Sequence, residues 1–305
     1  MPYFSIIIPV YNKIQFIEKT ISSVLSQSFS DFELIIINDG STDGSENVIA
    51  SSIDSRIKIF SQQNQGVSAA RNLGISKASA DLITFLDADD IWNADFLQEM
   101  HQLIHDHPNE KVFSAAIETE SAGKIIPAKY SIDASKGIQV VDYFDASLRE
   151  TIICTSCAVF HINVFKTAGV FDEKLKSGED TDLWIRIGLK YNVVFNQKIL
   201  ARYVYSENSL SKITVSNIDM DKYTDAARQN KNLKTFLDLN RFSLAIKAKM
   251  AGDNVRFQQF VNKIDTNQIS LKKQILLKLP AKMLRKLISI QKTLIKQGIA
   301  SGTFK

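Results

Sequence analysis

The stretch Leu82-Ile83-Thr84-Phe85-Leu86-Asp87-Ala88-Asp89-Asp90 decides the fold. Its apolar part lacks polar alternation, the pattern of a strand buried on both faces of a parallel sheet. The three carboxylates then fall just past the strand's carboxyl end, where open α/β sheets place their ligands. On an extended backbone Asp87 and Asp89 point the same way. Convergent carboxylates repel unless a cation lies between them. A hard divalent ion, Mg²⁺ or Mn²⁺, takes oxygen ligands and usually shares them with substrate phosphates. The motif alone also fits a solvated acidic turn, with Asp90 capping a helix that begins at Ile91-Trp92.

Working outward from it, Phe4–Val10 and Phe32–Ile37 are further apolar runs, and Ile57–Phe60 is a third strand. Between them, residues 13–26 carry Ile14, Ile17, Ile21, Val24 and Leu25 at helical spacing. Asn38–Ser45 is rich in turn and capping residues and leads into a helix to about residue 52. Gly66 opens another helix before the acidic strand. This alternation predicts a mostly parallel α/β sheet covered on both faces. The turn after the first strand, Pro9–Lys13, has no glycine, which argues against a nicotinamide site, and no Walker A loop is present.

Downstream, a helix is expected near 93–106 and a hairpin over 111–128 turning at Ala122-Gly123. A short helix is expected over 140–148 and a strand over 152–160. Gly178-Glu179-Asp180-Thr181-Asp182 should lead into a helix through about Lys190. Val193–Asn196 and Ile199–Tyr205 read as two strands, and everything from about 217 as helical.

The chain has 305 residues, with 45% hydrophobic and 23% charged content, ordinary for a globular protein. No apolar run approaches a membrane span, and no leader pattern is expected at the start. Two cysteines, Cys154 and Cys157, suggest a reducing compartment. Net charge is +4, but residues 270–305 hold nine Lys/Arg and no acid, leaving the rest of the chain at −5.

The ordered motifs resemble the family 2 glycosyltransferases. They are Ser5–Asn12, Asn38–Asp43, Gly66 with Ala70-Arg71-Asn72 and Gly74, Leu86–Asp90 and Gly178–Trp184. They span about residues 1–211. The resemblance implies a GT-A fold, a nucleotide-sugar donor and inversion at the anomeric carbon. It divides the chain into a catalytic domain over 1–215 and a helical extension over 216–305. Within the domain, 1–108 is the nucleotide-binding half and 109–215 the acceptor-binding half.

The chemistry suits these residues. As a diphosphate leaves an oxocarbenium-like centre, charge accumulates on it, and a divalent ion bridging the phosphates stabilises that charge. Asp89 is the expected direct ligand. By the resemblance Asp87 holds ribose, metal or both, with Ala88 between them in the donor site. Arg71 is expected as a cation near the nucleotide or diphosphate. Asp39 would pair with the base, commonly the uracil imide, beside Pro9 and Tyr11; a carboxylate there favours uracil over cytosine, whose N3 carries no proton. Asp180 matches the family's general base, with Glu179 orienting the site or touching the acceptor. One departure is that many relatives carry an arginine and a histidine where this sequence has Val204 and Ser206.

The implied partners are a nucleotide sugar, most simply a UDP-sugar, and a glycan or lipid-linked sugar acceptor at a bacterial surface pathway, on the cytoplasmic side. No nucleic-acid partner is expected. The basic helix after Pro280 could pack on the body or a second copy, or lie on an anionic membrane. A nucleotide-sugar-binding subunit without turnover is the alternative to an enzyme. Cys154-Thr155-Ser156-Cys157 has no second ligand pair for zinc and does not open a helix, so it is discounted, as are His101, His105 and His107.

Overall fold

The computed structural model describes residues 1–121, 123–204 and 218–296. Four strands form the first half of a ten-stranded sheet: β1 (Phe4–Val10), β2 (Phe32–Asn38), β3 (Ile57–Ser61) and β4 (Leu82–Phe85). They lie in the order β3-β2-β1-β4, all parallel. Helices α1 (Ile17–Leu25), α2 (Ser45–Ser51) and α3 (Val67–Lys77) connect them. Every residue of β1, β2 and β4 is buried, so apolar side chains fill most of both faces, and the buried Glu33 accepts from Ser5 Oγ at 2.5 Å. Each fully buried isoleucine stabilises by about 1.5–3 kcal/mol.

Pro9 is tolerated in this central strand because of register. The Ile7 carbonyl accepts from Leu86 N, so residues 5, 7 and 9 address the β4 side. Pairing with β4 stops at Ile7 opposite Phe85, and the proline's missing N–H faces the side that β4 has left.

The second half is mixed. β9 (Ala158–His161) runs antiparallel to both β4 and β6 (Val112–Ser121). β10 (Val193–Val204) is parallel to β6, and β5 (Ile91–Trp92) lies antiparallel on its far side. β7 (Lys124–Pro127) completes the expected hairpin with β6, and β8 (Ile138–Val141) pairs with β10.

Several expectations shift here. The two strands read over 193–205 are one strand, β10, with register shifts between Asn196 and Ile199, where Lys198 N donates to Asn196 Oδ1. Residues 152–160 are not all strand: Thr155–Cys157 form a 3₁₀ turn before β9. The helix expected over 140–148 shrinks to α5 (Tyr143–Ala146), because Val140 and Val141 pair with β10. Asp90 does not cap a helix; α4 (Phe96–Asp106) starts five residues after the β5 strand opens. His101 is not a plain surface residue, since its ring stacks on Phe29 at 4.8 Å.

After α6 (Asn163–Ala168) and α7 (Glu179–Gly188) the extension continues as α8 (Thr224–Gln229), α9 (Lys231–Ala251), α10 (Asn254–Val261), α11 (Leu271–Lys278) and α12 (Ala281–Lys296). Leu233, Phe236 and Leu237 at the start of α9 join the hydrophobic core beneath the sheet beside Tyr143, Phe144 and Trp184. Its later residues Phe242, Ala245 and Ile246 build a separate small cluster with Leu276, Leu277 and Leu284. A short 3₁₀ turn, Met220–Tyr223, links the extension to α7: the Tyr223 hydroxyl donates to Asp182 Oδ1 at 2.7 Å, and Lys222 pairs with the same carboxylate. Asp182 is 1% exposed, so these contacts satisfy a buried charge.

Candidate active site

The site forms at the carboxyl ends of β1, β2 and β4 and the start of α7. After β1, Asn12 adopts φ +52°, a conformation asparagine tolerates. Its N–H donates to Ser41 Oγ and its Oδ1 accepts from Thr42 N, tying the β1 turn to the loop after β2. Asp39, at that loop's start, is 2% exposed. Its Oδ1 accepts from Gln62 Nε2 at 2.7 Å and Gln65 N at 2.9 Å, and its Oδ2 from Gly66 N at 2.9 Å. Asp39 therefore fixes the polar loop that opens α3. Pro9 is buried in β1, while Tyr11 stands 47% exposed beyond its end.

On α3, Gly74 sets how close the helix comes to β1: a Cβ there would lie 2.3 Å from Ile7 Cγ2. One turn earlier on the same helix, Arg71 is 3% exposed and lies among carboxylates. Its Nη2 donates to Asp87 Oδ1 at 2.7 Å and its Nη1 to Asp180 Oδ1 at 2.8 Å, with Glu179 Oε1 at 3.5 Å. The guanidinium also lies over the Phe171 ring at 5.1 Å. The sequence suggested a cation near the nucleotide or diphosphate; the structure places Arg71 between the acidic turn and the acidic start of α7.

The acidic motif is a turn, not the extended segment expected from its spacing. Asp90 N donates to the Asp87 carbonyl, so the three carboxylates part company. Asp87 takes Arg71 and the Thr155 hydroxyl, at 3.0 Å. Asp89, 15% exposed, pairs with Lys13. Asp90 is buried, accepting from Ser156 Oγ at 2.5 Å and Val204 N at 3.0 Å. Ala88 packs into the core with its carbonyl taken by Thr20 Oγ1 at 3.0 Å, so it supports the turn rather than offering a side-chain contact to a ligand.

These surroundings separate the acids. Burial pushes the Asp87 carboxyl up, but Arg71 and Thr155 outweigh it and hold it below the ordinary range. Burial, with Asp87 nearby, raises Asp89 despite Lys13. Burial and Asp87 also push the Asp90 carboxyl well up. Asp180 lies in the first turn of α7, which follows Gly178, whose φ of +88° favours glycine. Its side chain keeps 38% of its surface exposed. Burial is the main cause pushing its carboxyl up to about 7, with Glu179 and Asp87 adding and Arg71 opposing. Glu179 is 13% exposed beside Arg71.

Four carboxylates, Asp87, Asp89, Glu179 and Asp180, thus meet two cations, Lys13 and Arg71. Among the described residues no three His, Cys, Asp or Glu side chains form a ready-made metal cage. A surplus of hard oxygen donors without a full cage fits a divalent ion that completes its shell with substrate phosphates and water. Sequence reasoning missed Lys13, Thr155, Ser156 and Asp90 as parts of this site. Thr155 and Ser156 lie inside the discounted Cys154–Cys157 segment, whose thiols are free and 3.1 Å apart. The position of Ser206 falls outside the described residues.

The family model described as glycosyl transferase family 2 matches residues 5–169. An uncharacterised glycosyltransferase of Rickettsia conorii is 32% identical over 245 residues, 79% of this chain. This chain spans 35% of that relative's length. A putative teichuronic acid biosynthesis glycosyltransferase of Bacillus subtilis, TuaG, is 29% identical over 69% of this chain and 82% of its own length. The crystal structure of S. aureus TarS 1-349 in complex with UDP superposes with a TM-score of 0.60 and 18% identity, over 94% of this chain and 78% of that one. The likeness to TarS shows a shared GT-A fold, and the family match spans the strands from β1 to β9, Arg71 and the acidic turn: the chain belongs to glycosyl transferase family 2.

Proposed function

We propose that the protein is an inverting glycosyltransferase that moves a sugar from a UDP-sugar to an acceptor hydroxyl with a divalent cation, Mn²⁺ or Mg²⁺, at Asp89 and Asp87. The observation that carries this reading is the shared guanidinium. Arg71 bonds Asp87 at 2.7 Å and Asp180 at 2.8 Å, which ties a donor-side carboxylate to an acceptor-side base. An Asp180 carboxyl at about 7, still partly open to solvent, suits proton removal from an attacking hydroxyl near neutral pH. Among the described residues one N–H, that of Gly66, donates to Asp39 Oδ2, which leaves a lone pair for the uracil imide. Pro9 and Tyr11 flank that position at the end of β1. A divalent ion, when bound, supplies Lewis-acid neutralisation of the departing diphosphate. Lys13 lies on Asp89 and adds positive charge on the same side.

TarS structures hold UDP and UDP-GlcNAc, which supports a uridine donor here. The role named for TuaG supports a surface-polysaccharide or lipid-linked glycan acceptor, built on the cytoplasmic side where nucleotide sugars are made. The test is calorimetric titration of UDP with and without Mn²⁺, on the wild type and on Asp89→Ala. Binding that needs Mn²⁺ and is lost in the variant is expected. Metal-independent binding unchanged in Asp89→Ala removes the metal role of Asp89, and no UDP binding removes the uridine donor. Turnover that needs Asp180 separates an enzyme from a subunit that only binds the donor.

A further inference from the structure

The C-terminal helices leave an apolar row uncovered. On α12, Leu284 is fully buried and Ile288 packs on the small cluster beside α9, so one side of the helix is spent on the fold. Arg285 Nη2 donates to the Met250 carbonyl at 2.9 Å and fixes the helix in that orientation. Met283, Leu287 and Ile290 recur at helical spacing on an adjoining stripe and remain 54%, 40% and 47% exposed. On α11, Leu271 and Ile275, four residues apart, are 71% and 51% exposed. Scattered exposed apolar side chains are normal, but two helices in succession presenting such rows need an occupant.

The charge around the row identifies it. Residues 270–305 hold nine Lys/Arg and no acid. Lys273 is spent over the Phe242 ring at 5.1 Å, and Arg285 on Met250. Lys272, Lys278, Lys282 and Lys286 stay exposed. Lys282 and Lys286 border the Met283–Leu287–Ile290 stripe on one side. A second copy docking here would bring two acid-free basic segments together. A nucleic acid would use the lysines and leave the apolar row in water. An anionic lipid surface satisfies both, with the row in the acyl boundary and the ammonium groups at the headgroups. No described helix is long and apolar enough to cross a membrane, so the contact lies in the interface plane.

We infer that α12, helped by α11, is a docking face for an anionic membrane surface, with Met283, Leu287 and Ile290 inserted and Lys282 and Lys286 bound to headgroups. This inference does not depend on the donor or the acceptor proposed above.

The test is co-sedimentation of the whole chain with large vesicles, of phosphatidylcholine alone or with one-third phosphatidylglycerol. Binding to the anionic vesicles that falls as salt rises is expected, with little binding to the neutral ones. Each exposed lysine near such a surface is worth roughly fivefold in partitioning, so Lys282→Gln with Lys286→Gln should weaken it by roughly 25-fold. A second variant, Met283→Ser with Leu287→Ser and Ile290→Ser, should also release the protein. Its exposed positions leave the core intact, which an unchanged thermal midpoint would verify. No vesicle binding, equal binding to neutral and anionic vesicles, or binding untouched by both variants would overturn the inference. So would a concentration-dependent dimer in analytical ultracentrifugation that Leu287→Glu abolishes, because the row would then belong to a second copy.

Discussion

The acidic turn after β4 and the acidic start of α7 present carboxylates to one guanidinium, yet they end in opposite states. Asp87 lies below its ordinary range because Arg71 and Thr155 both donate to it. Asp180 receives the same arginine but has Glu179 and Asp87 as neighbours in a buried setting, and its carboxyl rises to about 7. The difference is one of surroundings, not of residue type. A permanent anion suits the holding of cations and hydroxyls, and a carboxyl poised near neutrality suits taking up a proton.

The largest expected effect removes one side of this pair. Asp180→Asn keeps the shape and loses the base, so acceptor-dependent turnover should fall by about 10²–10⁴-fold while UDP binding by calorimetry stays near wild type. Retained turnover would end the assignment of Asp180 as the base. Removing the shared partner should strike both sides. Arg71→Met leaves three partly exposed carboxylates facing each other without their cation, and a loss of about 1.5–3 kcal/mol in denaturant unfolding is expected.

A gentler probe sharpens the contrast through pH. Only ionised Asp180 accepts a proton, so kcat/KM should rise about tenfold per pH unit below its midpoint and level off above about pH 7. A flat profile from pH 5 to 9 would contradict the raised carboxyl. The smallest effect lies on the Asp87 side. Thr155→Val removes one hydroxyl donor, costing about 1 kcal/mol and weakening UDP–Mn²⁺ binding severalfold, with the Asp180-controlled pH profile unmoved. A shifted profile would mean that the two sides are not separable.

The sequence revealed the parallel half most clearly because strands buried on both faces are mostly apolar, as β1, β2 and β4 are apart from the hydrogen-bonded Ser5, Glu33 and Thr84 and the terminal Asn38. Asp87 and Asp89 stood out at the end of an apolar run, whereas Asp39 and Asp180 were singled out through the resemblance to family 2 glycosyltransferases. The second half was harder to read. Gln197 and Lys198 interrupt β10 at its register shift, so one bent strand looked like two. Val140 and Val141 looked helical until β10 supplied their pairing partner. Lys13 carried no local signal, since its partner Asp89 is 76 residues away. Ser156 was hidden for the same reason: its oxygen matters only because Asp90, 66 residues earlier, turns inward to meet it.

The contact between Asp182 and the Lys222–Tyr223 pair has a practical consequence for chimeras. Exchanging everything after residue 217 for the tail of a relative would look like a clean swap of an accessory module. It would also strip partners from a carboxylate that is 1% exposed and lies two residues from Asp180, the proposed base, on the same helix. Hydrogen bonds to a charged group are worth about 1.5–3 kcal/mol each. A graft that does not bring its own hydroxyl and ammonium to that spot should therefore arrive with a loosened catalytic helix, and its altered acceptor range would be read wrongly as specificity.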